Sequence, residues 1–185
     1  VFYACSSLAS ITIPPSVTYI DSDVFGECTN LESIEIPYGI TEISSGMFSG
    51  CSSLTSVKLP DTITRIGSDA FDGCSSLASI TLPDDVSYIG SNAFWECSNL
   101  AEIKLPKSLE KIGTYTFYSC SNLKSIIIPN SVKEIGALAF AGCSNLSIVH
   151  YLGTEEQWAS VTIGSSNEEF TDADRHYCTE KAEIA

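Results

Sequence analysis

The 185-residue chain carries nine basic against 23 acidic residues, a formal charge of −14, which opposes binding to nucleic acid and to anionic lipid surfaces. With 44% hydrophobic and 10% aromatic residues it has enough apolar material for a continuous core, so a disordered chain is excluded. It contains no run of 18 apolar residues, and no membrane-spanning helix or direct insertion is expected.

The first residues already belong to a pattern. Phe2 matches Phe25, Phe48 and Phe71 at intervals of 23, so residues 1–4 read as the tail of a truncated repeat and the sequence as a fragment or processed product. Cysteine then falls at Cys5, Cys28, Cys51, Cys74, Cys97, Cys120 and Cys143, again every 23 residues, and a leucine stands three places after each. A fixed period in this range overrides any reading from length alone and indicates a solenoid. Six full units cover residues 5–142, and a degenerate seventh with a C-terminal capping segment covers 143–185.

Within a unit, the segment after the leucine alternates apolar and polar residues, as in Ser33-Ile34-Glu35-Ile36, which predicts a short strand with one face buried. Pro14, Pro37, Pro60, Pro83, Pro106 and Pro129 close that strand, because proline has no amide for a continuing ladder. The β-branched pairs that follow, such as Ile63 and Ile66, predict a second short strand on another side of the coil. The Ala-Phe-x-Gly-Cys stretch reads as a helical or 3₁₀ turn. Strands stacked in parallel at their usual spacing would make the array roughly 30 Å long.

Units such as Cys51–Gly73, C-S-S-L-T-S-V-K-L-P-D-T-I-T-R-I-G-S-D-A-F-D-G, resemble the BspA-like leucine-rich repeats of bacterial surface proteins. The resemblance covers nearly the whole sequence. It implies a right-handed, curved solenoid within a larger secreted or wall-associated protein, an extracellular or cell-surface location, and an association with adhesion.

After Cys143, the residues Leu146, Val149, Tyr151, Trp158 and Ile163 land at intervals of 23 on the leucine, isoleucine and phenylalanine columns of the previous unit. The register then breaks, and Tyr151 and Trp158 are suited to plugging the open end of the core. Arg175 stands where the resemblance implies an aliphatic residue, which predicts a less buried last strand.

The seven periodic cysteines are expected to form a buried, reduced ladder. Near-translation points neighbouring side chains the same way, which opposes disulfides, and one cysteine per coil draws a line where zinc needs four convergent ligands. Cys178, off the column, is the candidate for exposure or reactivity. No phosphate loop, zinc-protease helix, nucleophile elbow or calcium loop occurs, and His150 and His176 read as surface histidines. No catalysis, cofactor or metal is expected.

The outward columns of the main strand remain. One is mostly serine, with Glu102 as an exception, and the other varies: Thr12, Glu35, Lys58, Thr81, Lys104, Ile127 and His150. Variation beside constant columns is where an array can carry recognition. These residues with Glu102 form the candidate binding face for a host or bacterial surface protein or a glycan, and a structural spacer is the rival reading. A lysine belt, Lys104, Lys107, Lys111, Lys124 and Lys133, lies between acidic ends, and Tyr19, Tyr88, Tyr115, Tyr118 and Trp95 occupy nominally exposed positions.

Overall fold

The computed structural model describes residues 1–178. Strands alternate between two faces of a coil that repeats along the chain. The odd-numbered strands, on the main face, are β1 (Ser33–Glu35), β3 (Ser56–Lys58), β5 (Ser79–Thr81), β7 (Glu102–Lys104), β9 (Ser125–Pro129), β11 (Ile148–Leu152) and β13 (Asp174–Tyr177). The even-numbered strands on the second face are only two residues each: β2 (Glu42–Ile43), β4 (Arg65–Ile66), β6 (Tyr88–Ile89), β8 (Lys111–Ile112), β10 (Glu134–Ile135) and β12 (Thr162–Ile163). All pairings are parallel. Within the 23-residue units each residue faces its counterpart one unit on, as in Ile34↔Val57 and Ile80↔Ile103.

The core is a bundle of columns. Leu31, Leu54, Leu77, Leu100 and Leu123 are fully buried, as are Ile43, Ile66, Ile112 and Ile135. The phenylalanines stack in one file from Phe2 through Phe140, with successive ring centroids 5.2–5.8 Å apart and planes within 18° of parallel. No coil could hide such a ring alone, so most of the stability comes from interfaces between neighbours.

The cysteine ladder has a polar function as well as an apolar one. Each Phe carbonyl accepts the amide of the cysteine three residues on, as in Cys51 N–H to Phe48 O at 3.1 Å. It also accepts the thiol of the cysteine in the next coil. Cys28, Cys51, Cys74, Cys97, Cys120 and Cys143 donate to Phe2, Phe25, Phe48, Phe71, Phe94 and Phe117 at 3.0–3.2 Å. Cysteine meets both demands of the position, because it is a small hydrophobe that carries a weak donor.

The Ala-Phe-x-Gly-Cys stretch is a chain of tight turns with i→i+3 bonds of 3₁₀ type, such as Gly26 N–H to Asp23 O at 3.0 Å. It does not wind into a continuous helix because left-handed residues interrupt it. Asp23, Gly46, Asp69, Asn92, Tyr115 and Leu138 all have φ between 53° and 62°, and a second left-handed column runs through Glu27, Gly50, Gly73, Glu96 and Ser119. Glycine is required elsewhere for close approach: a Cβ on Gly90 would lie 2.4 Å from the amide nitrogen of Ser68 in the preceding coil.

The cap corrects one expected register. Ile163 does not take the phenylalanine position; it pairs with Ile135, 28 residues earlier, and extends the second-face ladder. The short helix α1 (Glu155–Trp158), capped by Thr154 and Gln157 in a reciprocal box, lengthens this coil. Phe170, on helix α2 (Glu168–Thr171), instead closes the ring stack at 4.5 Å from Phe140. Trp158 leaves the isoleucine column and packs edge-on against Tyr151, which is fully buried. Asn167, also buried, ends the turn ladder: its Oδ1 accepts Phe140 N–H at 3.0 Å and its Nδ2 donates to Gly136 O and Gly164 O. Residues 179–185 of the expected cap lie outside the described residues.

Three substitutions test this packing by urea denaturation. Phe94→Ala should lower the unfolding free energy by about 3–5 kcal/mol. Gly90→Ala, which drives a methyl into the backbone below, should cost about 1–3 kcal/mol. Asn167→Ala, which leaves Phe140 N–H and two carbonyls without partners, should cost at least about 1–3 kcal/mol. A Gly90→Ala protein as stable as the parent would refute the close-approach account.

Candidate functional site

The main face divides into two halves. From β5 to β13 the strands form one continuous sheet, whereas β1 and β3 pair only with each other and Ser10 joins β1 through a single bridge. Val57 and Leu59, whose counterparts further along are buried, are partly exposed beside this break.

Two grooves occupy the open half. One, of about 650 Å3, is walled by Thr12, Glu35 and Lys58 and has apolar surface from Ile13 and Tyr38. The other, of about 440 Å3, runs between β3 and β5 and is bordered by Lys58, Ser79 and Thr81. Four varied-column residues, Thr12, Glu35, Lys58 and Thr81, are thus brought to adjoining depressions. Glu102, Lys104, Ile127 and His150 lie on the continuous half, in β7, β9 and β11, away from both grooves.

Charges on this surface are largely matched between coils. Lys58 Nζ stands 2.6 Å from Glu35, one unit away, and both side chains are well exposed. The lysine belt is partly neutralised: Lys104 and Lys107 each reach Asp84 at 3.5 Å, and Lys111 reaches Glu134 at 2.7 Å. Lys104 and Lys107 hold the Asp84 carboxyl below its ordinary range. Such exposed pairs contribute little to stability, typically 0 to about 1 kcal/mol each. Their consequence here is for recognition, since the belt presents less free positive charge than its sequence suggests.

At the far end, β13 lies beside β11 with His150↔His176 in register, and the two imidazole rings are 5.2 Å apart. Cys178 is buried, with Sγ 4.0 Å from His150 Nδ1, so the exposure expected for it is not found. The only other departure among the cysteines is Cys5, which is exposed. Arg175 sits opposite Val149, in an inward register position, and is only half-buried. Its guanidinium lies 4.4 Å from the centre of the Trp158 ring, so a cation–π contact takes the place of aliphatic packing. Among the described residues, no group of three or more His, Cys, Asp or Glu side chains is arranged to hold a metal ion, and no helix is long and apolar enough to cross a membrane.

The family profile of the BspA type leucine rich repeat region, in six copies, matches residues 1–97 and 41–167. The chain belongs to this family. A T. pallidum leucine rich repeat protein is similar in structure, with TM-score 0.75 and 28% identity over 84% of this chain and 73% of that one. A leucine-rich repeat protein from Bacteroides ovatus gives TM-score 0.71 and 26% identity, covering 95% of this chain and 56% of that one. A leucine rich cell surface protein from Faecalibacterium prausnitzii gives 0.54 and 25%, covering 87% and 70%. No curated protein matches the sequence.

In this BspA-type array the cysteine column is chemically quiet. Burial, the largest influence, pushes the thiols of Cys51 and Cys143 up to about 12 and those of Cys74, Cys97 and Cys120 well above the ordinary range. A thiol that stays protonated is neither nucleophile nor metal ligand. In native protein at mildly alkaline pH, a thiol-modifying reagent followed by mass spectrometry should label Cys5 first. Cys51 through Cys143 should react only on unfolding, and rapid native labelling of Cys97 would contradict the dry ladder.

Proposed function

We propose that this BspA-type array is a non-catalytic recognition module at a bacterial cell surface, binding a protein or glycan partner along its main face. The observation that carries the reading is the alignment of Thr12, Glu35, Lys58 and Thr81 along two adjoining grooves. Their neighbours on either side are fixed by packing, so these positions are free to differ from coil to coil without disturbing the core. The apolar surface of Ile13 and Tyr38 in the larger groove supplies area for contact, and the Glu35–Lys58 pair supplies direction. Surface location is supported by the family and by the F. prausnitzii relative described as a cell surface protein. It accords with the negative net charge, which disfavours nucleic acid and anionic lipid as partners.

The unbroken phenylalanine stack favours a second reading, a stiff spacer that carries another domain. The two readings separate in one experiment. A protein with Thr12, Glu35, Lys58 and Thr81 all replaced by serine should keep its fold, because none of these side chains enters the core. Its attachment to immobilised matrix proteins, glycans and whole cells should fall at least about ten-fold if the face recognises a partner. Attachment unchanged from the parent would favour the spacer.

A further inference from the structure

A second surface lies on the turn side of the coils, away from the main face. One column there reads Ser49, Asp72, Trp95, Tyr118, Ala141, and the column three residues earlier reads Gly46, Asp69, Asn92, Tyr115, Leu138. The first column begins at Tyr3 and Gly26, and its aromatics return in the adjacent coils of Trp95 and Tyr118, whose rings make one ledge with Tyr115. Trp95 stacks on Tyr118 at 4.3 Å and contacts Tyr115 at 4.9 Å, while Tyr115 meets Tyr118 edge-on at 5.6 Å. All three side chains are half-buried.

On the other side of Trp95 the same columns carry acids. Asp72, itself half-buried, has Asp69, Glu96 and Glu27 as charged neighbours. Burial, then the charges of Asp69 and Glu96, push its carboxyl up to about 6, with Glu27 adding and Ser49 opposing. Among the described residues, none of these carboxylates forms an ion pair with a basic side chain. Asn92 donates its Nδ2 to Asp69 Oδ1 at 2.9 Å, which leaves its own Oδ1 buried without a donor. Beside Asp72, Gly73 leaves a notch: a Cβ built there meets nothing nearer than the backbone of Gly50 at 3.7 Å.

We propose that this ledge is an interaction surface for a protein partner that inserts an arginine side chain. The site offers carboxylate and amide acceptors beside the Trp95 ring, and among the described residues no basic side chain pairs with its acids. A guanidinium has the complementary properties: it is planar, stacks on aromatic faces and presents five donors in a fork that suits carboxylates. A lysine supplies charge without the stacking plane. A neutral sugar would stack on Trp95 but leave the carboxylates uncompensated. Tyr115 supports the assignment, because it occupies a left-handed backbone position, φ 59°, where Asp69 and Asn92 stand in the coils before it. A tyrosine there is costlier for the fold than asparagine. This surface is separate from the main-face grooves, and the serine replacements on that face should leave it unaffected.

The test titrates the full protein with a glycine-serine peptide bearing one arginine, read by Trp95 fluorescence and calorimetry, beside the citrulline form of the same peptide and a neutral oligosaccharide. The arginine peptide should bind saturably, and citrulline, which keeps the shape and loses the charge, should bind at least about ten-fold more weakly. Affinity should weaken as the pH falls through about 6, because Asp72 is then protonated and gives up the charge that attracts the ligand. Tyr115→Asn and Asp72→Asn should each weaken binding at least about five-fold. Neither should lower the urea midpoint, since one relieves a left-handed tyrosine and the other removes carboxylate repulsion. Equal binding of arginine and citrulline peptides, binding of the oligosaccharide alone, no saturable binding, or unchanged affinity in both variants would overturn the proposal.

Discussion

The structure depends on one repeated junction, the phenylalanine carbonyl that accepts an amide from its own coil and a thiol from the next. A carbonyl has two lone pairs, and a buried one left half-satisfied in every coil would weaken the array throughout. Here the second acceptor site is filled across the coil boundary, as in Phe71 O with Cys74 N–H and Cys97 Sγ. The bond works only if each coil is displaced from the last by nearly the same translation. That displacement brings the rings into a file at about 5.5 Å and places Gly90 and Gly136 so close to neighbouring backbone that no side chain fits. The turn, the ring stack and the glycine contact are therefore three expressions of a single spacing.

The constraint also decides where difference is permitted. Inward positions must repeat or the stack is lost, whereas outward positions are limited mainly by what stands directly above and below. The ion pairs follow this rule: Lys58 with Glu35, Lys107 with Asp84 and Lys111 with Glu134 are each 23 residues apart. Arg65 and Tyr88, again one unit apart, form a cation–π contact at 4.2 Å. Outward columns thus behave as short vertical sentences, read across coils, and charge that looks free in the linear sequence is often answered by its neighbour in the stack.

Periodicity made most of the fold legible. Every column of the interior follows from adding 23, including the thiol ladder and the alternation that buries Ile80 and Leu82 while exposing Thr81. Legibility fails where the increment changes. Helix α1 adds residues to one coil, so Ile163 slides into the isoleucine ladder and Phe170 inherits the ring stack. No count of 23 could reveal that, nor the offset of 26 that brings His176 beside His150. Asn167 carries no signal in the sequence because its role exists only where the repeats stop: an amide that offers an acceptor and donors together can end a ladder of backbone bonds. The main-face grooves were hidden for a different reason. The varied column was visible as a list, but the break between β3 and β5 that turns four of its members into the walls of depressions depends on strand pairing that the repeat predicts to be uniform.

The turn side shows how far such an array can depart from its own rule. In the column of Asp23, Gly46, Asp69 and Asn92 the left-handed position is filled by residues that tolerate it, and at Tyr115 and Leu138 by residues that tolerate it poorly, while the second left-handed column also takes Glu27, Glu96 and Ser119. Leu138 lies beside the capping segment, and its amide bonds to Ser165 O as that of Tyr115 bonds to Ala137 O. Tyr115 lies inside the regular array with ordinary coils on both sides, and its gain is the contact with Trp95 and Tyr118. Asp72 is likewise held half-buried among Asp69, Glu96 and Glu27 at a position that no other coil fills with an acid. A solenoid built for uniform stacking has no structural need for either residue. Two unfavourable choices, on the coils before and after that of Trp95, are what a surface shaped by a ligand would retain, because the core supplies stability enough to carry them and the stacking rule leaves the turn face open to be changed.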